Sequence, residues 1–170
     1  MRTVAVVGKN YGDEGKGLVT ASLCSLFSKP LIIKHNGGAQ AGHTVENEER
    51  GIRFIHHQTG SGAEYRADTL LAETYYPDLY QIKKEIEEFK SVFKFSPVIF
   101  GEERACITTI DDVLINMAVE TGRGENRHGS CGMGINECSE RIKAGFKVTL
   151  KDVADITYEQ FCDLLADIRR

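Results

Sequence analysis

A run rich in β-branched residues, Thr3-Val4-Ala5-Val6-Val7, stops at Gly8 and leads into Gly12-Asp13-Glu14-Gly15-Lys16-Gly17. The apolar positions that follow, Leu18, Val19, Ala21, Leu23, Leu26 and Phe27, predict a helix from about Gly15 to Phe27. This succession of strand, glycine turn and helix constrains the fold more than any other feature of the chain. Glycines permit the tight turn, and a helix beginning there offers unpaired backbone N–H groups and the positive end of its dipole. Lys16 adds a cation at the same point, so the turn suits an anion such as a phosphate. Two carboxylates beside a phosphate repel it unless a cation intervenes or one of them handles a proton. Asp13 therefore points to Mg²⁺, to base chemistry, or to both.

The turn is similar to a P-loop, with Asn10 where a strict Walker A sequence has glycine. A second apolar run, Leu31-Ile32-Ile33-Lys34-His35, reads as another buried strand and enters Asn36-Gly37-Gly38-Ala39-Gln40-Ala41-Gly42-His43-Thr44-Val45. Small residues let this loop's backbone approach a ligand closely, and His43 supplies a side chain whose ordinary pKa lies near neutrality.

Taken together, Gly12-Asp13-Glu14-Gly15-Lys16-Gly17 and Gly37-Gly38 followed by Ala41-Gly42-His43-Thr44 resemble the adenylosuccinate synthetase family. A weaker likeness continues through His57 and Ser61-Gly62, and through Thr121-Gly122-Arg123-Gly124, which looks like the family's Thr-Gly-Arg-Gly loop. Such enzymes are longer than this chain and join IMP and L-aspartate at the expense of GTP, through 6-phosphoryl-IMP. The resemblance implies Asp13 and His43 as the catalytic base and acid. It implies GTP contacts from Gly12, Asp13, Glu14, Gly15, Lys16, Gly17, Gly42, His43 and Thr44. IMP contacts would come from Asp13, Lys16, Gln40, Ala41, Gly42, His43 and Thr121. Mg²⁺ would be held by Asp13 and the backbone carbonyl of Gly42, and the assembly implied is a homodimer.

The chain departs from the family at Gln40 for asparagine, Leu18 for lysine, Asn10-Tyr11 for Gln-Trp and Gly60 for proline. These changes touch nucleotide choice more than chemistry. They leave open a related ligase acting on another purine nucleotide such as dGMP. Because the groups that in the family bind guanine, ribose and aspartate lie in later sequence, a non-catalytic purine-nucleotide or phosphate-binding module also stays open. Arg141 is a candidate for the arginine that in the family reaches across a dimer, and equally reads as a solvated helix residue.

At 170 residues, 41% hydrophobic and a net charge of −4, the chain can bury one substantial core and carries no basic run that would mark a nucleic-acid binder. Neither a signal peptide nor a membrane span is legible, which leads to the expectation of a cytoplasmic protein. Five cysteines without framework spacing predict reduced thiols, with Cys24 and Cys162 on apolar helix faces.

From Pro77 to Phe89, Leu79, Ile82, Ile86 and Phe89 form an apolar stripe, with Lys83, Lys84, Glu85, Glu87 and Glu88 assigned to the opposite face. The run from Gly51 to His57 alternates as a strand, so only one of His56 and His57 can address the site, and the resemblance favours His57. Short strands are predicted at Pro97–Phe100 and Ala105–Ile107, a helix from about Thr109 to Val119, and a last helix opened by Thr157 and Gln160. Strands alternating with helices predict one nucleotide-binding α/β domain over residues 1–170, a mainly parallel sheet flanked by helices and P-loop-NTPase-like. That domain would be part of a longer enzyme or a truncated relative.

Overall fold

A computed structural model describes residues 2–10, 12, 14–127 and 129–169. Its elements are α1 (Lys16–Cys24), β1 (Leu31–Lys34), β2 (His43–Asn47), β3 (Ile52–His56), β4 (Asp68–Leu71), α2 (Leu79–Phe93), β5 (Ile99–Gly101), α3 (Ile110–Gly122), α4 (Ile135–Lys143), α5 (Leu150–Ala154) and α6 (Tyr158–Ile168). The fold is mixed α/β. Strands β1, β4 and β5 lie in that order in one sheet, and β1 pairs with β4 in parallel, Leu31 opposite Asp68 through Lys34 opposite Leu71. Strands β2 and β3 make a separate antiparallel pair in which His43 faces His56.

The chain divides into two compact units. The first comprises Met1–Lys34, Ala41–Leu71 and Tyr80–Phe100, and the second His35–Gln40, Ala72–Leu79 and Gly101–Arg170. In the first unit Phe54, Ala63 and Phe89 are buried together, and Phe93 and Phe95 close over them with edge-on ring contacts, Phe54 to Phe93 at 5.5 Å and Phe89 to Phe95 at 5.2 Å. The guanidinium of Arg66 caps this cluster 3.6 Å from the Phe95 ring centre. The core is thus supplied by β3 and α2, which leaves the starts of α1 and β2 free for the site.

In the second unit Tyr75, Ile107, Cys138 and Val148 are fully buried. A buried ion pair ties α3 to α4: Arg141 reaches Asp112 at 2.8 Å while also donating to the carbonyls of Ile107 and Phe146. The same Asp112 carboxylate closes the capping box of α3 with Thr109. Arg141 is therefore an internal clamp, neither a solvated helix residue nor a side chain extended toward another subunit. Its guanidinium fork satisfies the buried Asp112 carboxylate and the Ile107 carbonyl, and also donates to the carbonyl of the exposed Phe146.

Several other expectations are corrected. Residues 3–7 form no strand, and Val4 and Val7 are 48% and 82% exposed. Apolar β-branched residues state a preference for burial, but a strand exists only where a neighbour completes its ladder, and no described residue pairs with this segment. Thr121 and Gly122 close the last turn of α3 instead of opening a loop, with Gly124 starting a single 3₁₀ turn. Cys162 is exposed, whereas Cys24 is buried. Gly60, which stands where the family has proline, donates its N–H to Thr69 Oγ1 at 2.8 Å, a bond that a proline could not make.

Candidate functional site

The opening turn is built around an internal anion. The Glu14 carboxylate accepts the backbone N–H of Lys9 at 2.6 Å and of Asn10 at 2.5 Å, and pairs with Lys16 Nζ at 2.5 Å. Hydrogen bonding to Lys16 first, and then to the Asn10 amide, holds the Glu14 carboxyl below its ordinary range. Two amides and an ammonium converging on carboxylate oxygens are the donor set that a phosphate would use. Gly15 adopts φ +72° as the N-cap of α1, which no side chain caps. Gly12, at φ +131°, holds a conformation that a residue with a Cβ rarely takes. Asp13 lies outside the described residues, as do Met1, Tyr11, His128 and Arg170.

The two glycine segments meet through Gly17. This residue is buried in the first turn of α1, and a Cβ placed on it would stand 2.7 Å from His43 Cβ and 3.1 Å from Ser61 Oγ. The absence of a side chain is what allows α1 to begin against β2, beside the imidazole. Burial pushes the His43 imidazole down to about 4, and the positive charges of Lys34 and Lys16 add to the effect. His43 is therefore neutral at pH 7 and offers one ring N–H and one acceptor nitrogen. Gly42 and Thr44, on either side of it, are exposed.

Behind His43 stands a polar support missed by the sequence reading. Glu85 was assigned to the solvated face of its helix, yet it is only 4% exposed. Its carboxylate accepts the N–H groups of His57 at 2.9 Å, Gln58 at 2.7 Å and Thr59 at 3.1 Å, together with the Thr59 hydroxyl. Lys34 Nζ donates to the His57 carbonyl. Burial takes the Lys34 ammonium down to about 8, opposed by the Glu85 charge. A signal was present for Glu85, which lies three residues after Ile82 and four before Phe89, on the apolar stripe itself; for Lys34 there was none, since the exposure of Leu31 and Ile33 on the other face of its strand shows only in the structure.

Gln40 and Thr121 belong to the second unit. Gln40 lines a hollow of about 480 Å³ with Gly37, Asn116, Ser130, Gly134 and Asn136. Thr121 is exposed on α3 and is not among the residues lining that hollow. Asn116 donates to Glu137 at 3.0 Å and accepts from Ser130 Oγ at 2.9 Å, holding the hollow's rim to α3. Ala41, in the first unit, presents its carbonyl to His57.

The family model for adenylosuccinate synthetase matches residues 5–168. The chain belongs to the adenylosuccinate synthetase family. It is 32% identical over 151 residues to the adenylosuccinate synthetase of Gloeobacter violaceus, covering 87% of this chain and 33% of that protein. A second relative, from Thermosipho africanus, is 32% identical over 133 residues, with 76% and 32% covered. The chain thus spans about a third of the length of the curated relatives it matches. The fully ligated adenylosuccinate synthetase of Plasmodium falciparum shares the fold at a TM-score of 0.78 with 22% identity, over 95% of this chain and 37% of that one. The succinoaminodeoxyadenylate synthetase of cyanophage S-2L, bound to dGMP and dATP, superimposes at 0.62 with 18% identity, over 85% and 39%.

Proposed function

We propose that this chain carries the phosphoryl-transfer centre of a GTP-dependent ligase of the adenylosuccinate synthetase type, joining IMP and L-aspartate in purine nucleotide biosynthesis. The observation that supports it is the contact of Gly17 with His43, which sets the phosphate-type turn of α1 against the one imidazole of the second glycine segment. In this reading residues 1–170 are the nucleotide-binding portion of a larger enzyme. Gly12, Glu14, Gly15, Lys16 and Gly17 hold the GTP phosphates with Gly42 and Thr44. Glu14 serves through its backbone, because the incoming phosphate takes the place of its carboxylate among the Lys9 and Asn10 amides.

Asp13 removes the N1 proton of IMP, so that O6 attacks the γ-phosphate. His43 donates an N–H to that oxygen, and an anionic phosphate beside it pulls its pKa upward toward a value suited to proton transfer. Ala41, in the same unit as His43, adds an IMP contact, and the amine of aspartate then displaces phosphate from 6-phosphoryl-IMP. No group of three or more His, Cys, Asp or Glu side chains able to hold a metal occurs among the described residues. Mg²⁺ does not need one, since it binds through one or two carboxylates and substrate phosphates; the Gly42 carbonyl and Asp13 are hard oxygen donors of the right kind. When bound it would offset the charge of the phosphate oxygens.

The test follows phosphate release from GTP and Mg²⁺ while IMP, dGMP and aspartate are added singly and together. Release that requires IMP, and its loss in Asp13→Asn, supports the reading. Undiminished IMP-dependent release in that variant refutes the role of Asp13, and release from GTP alone makes the protein a simple hydrolase. Saturable binding without release marks a nucleotide-binding module. Gln40, one methylene longer than the family's asparagine, keeps dGMP as the second substrate to be tried.

A further inference from the structure

His57 Nδ1 lies 2.8 Å from the carbonyl oxygen of Ala41. A carbonyl only accepts, so the ring nitrogen facing it carries the proton, and this N–H ties the segment just before Gly42 and His43 to the end of β3. His57 is itself fixed from two sides. The buried Glu85 carboxylate takes its N–H and those of the next two residues, and Lys34 takes its carbonyl. A carboxylate buried to this extent is costly unless several donors satisfy it, and here three amides and a hydroxyl do so. The outcome is a continuous path from α2 through the 57–59 turn to the Ala41 carbonyl, with His43 two residues further on.

We propose that His57, anchored by Glu85, is the positioning residue that holds the Ala41-Gly42-His43 segment in its working geometry. The idea rests on the function proposed above for His43. It adds two residues that act through the Ala41 carbonyl.

The test compares His57→Leu, His57→Asn and Glu85→Gln in the whole chain. Asparagine places an amide N–H near the position of Nδ1, whereas leucine supplies bulk without a donor. In His57→Leu, amide hydrogen exchange at Gly42 and His43 accelerates about tenfold or more while amides of the Phe54–Phe89 core keep their rates. The kcat for nucleotide-dependent phosphate release falls about 10- to 100-fold, by analogy with the outer-shell partners that orient metal-ligating side chains. The KM for GTP stays within about threefold of wild type, because the α1 turn is untouched. His57→Asn recovers both readouts. Glu85→Gln opposes an NH₂ to the Gln58 N–H, reproduces the loss of kcat and also lowers the melting temperature.

Unchanged exchange and kcat in His57→Leu would overturn the proposal. So would an asparagine variant as impaired as the leucine one, since shape and not the donor would then be the cause. If the wild-type protein releases no phosphate with any purine monophosphate, the functional reading fails, and the exchange rates at Gly42 and His43 still decide whether the tether exists.

Discussion

Replacing Gly17 by alanine asks whether the meeting of α1 with β2 is as tight as its geometry indicates, and two opposing effects decide the result. Alanine favours a helix by about 0.8–1.0 kcal/mol over glycine, so on propensity alone the variant would be more stable. Against this, the new methyl would stand 2.7 Å from His43 Cβ, 3.1 Å from Ser61 Oγ and 3.2 Å from His43 Cα. The serine hydroxyl can rotate away. The His43 atoms cannot, because Cα and Cβ move only with the backbone of β2, whose register against β3 is set by pairing from His43 opposite His56 to Asn47 opposite Ile52. Overpacking of this kind costs about 1–3 kcal/mol, which exceeds the propensity gain over most of its range.

The expected net loss is about 1 kcal/mol, or roughly 2–4 °C in melting temperature for a chain of this size. Gly122→Ala is the matched control. It lies in the last turn of α3, a Cβ there meets nothing within 4 Å, and it should be neutral or stabilising by up to about 1 kcal/mol. Urea denaturation combined with amide exchange reads each compact unit separately, as two units need not unfold in one step. If Gly17→Ala proves as stable as Gly122→Ala, the close approach of the two glycine segments is wrong, and with it the observation that supports the proposed function.

The remaining predictions concern charges removed from water. Arg141→Met leaves Asp112 buried with only the Thr109 cap donors, and should cost about 3–5 kcal/mol in the second unit by urea denaturation. A loss below about 1 kcal/mol would mean that the pair is a surface feature. For His43, the folded-state value of about 4 lies below the ordinary 6.5, so between these values the unfolded chain binds more protons than the folded one. Its contribution is fully present above pH 6.5 and is lost as pH falls through 4, by at most about 3 kcal/mol. His43→Asn should remove this part of the acid slope. Equal slopes from pH 7 to 4 in both proteins would contradict the buried, neutral imidazole.

How much of this was legible in the sequence depends on how local each cause is. Thr157 with Gln160 marks a capping box because cap and partner lie three residues apart, and the box is present at α6. Helix α3 begins where Thr109 predicts it for the same reason. The 3–7 segment was misread because its apolar run speaks of burial and says nothing of a partner. Thr121-Gly122 was read as a loop from its likeness to the family's Thr-Gly-Arg-Gly segment, whereas in this chain both residues close the last turn of α3.

Glu85 fails in a more instructive way. Its charge argued for the solvated face while its spacing from Ile82 and Phe89 placed it on the buried one, and charge was given the greater weight. The structure shows why spacing prevails. A turn at 57–59 presents three N–H groups to that face, and they offset the desolvation of the carboxylate. A charged residue on an apolar stripe is thus a prediction that a complementary set of donors lies elsewhere in the chain, and in this protein those donors lead to the candidate catalytic histidine.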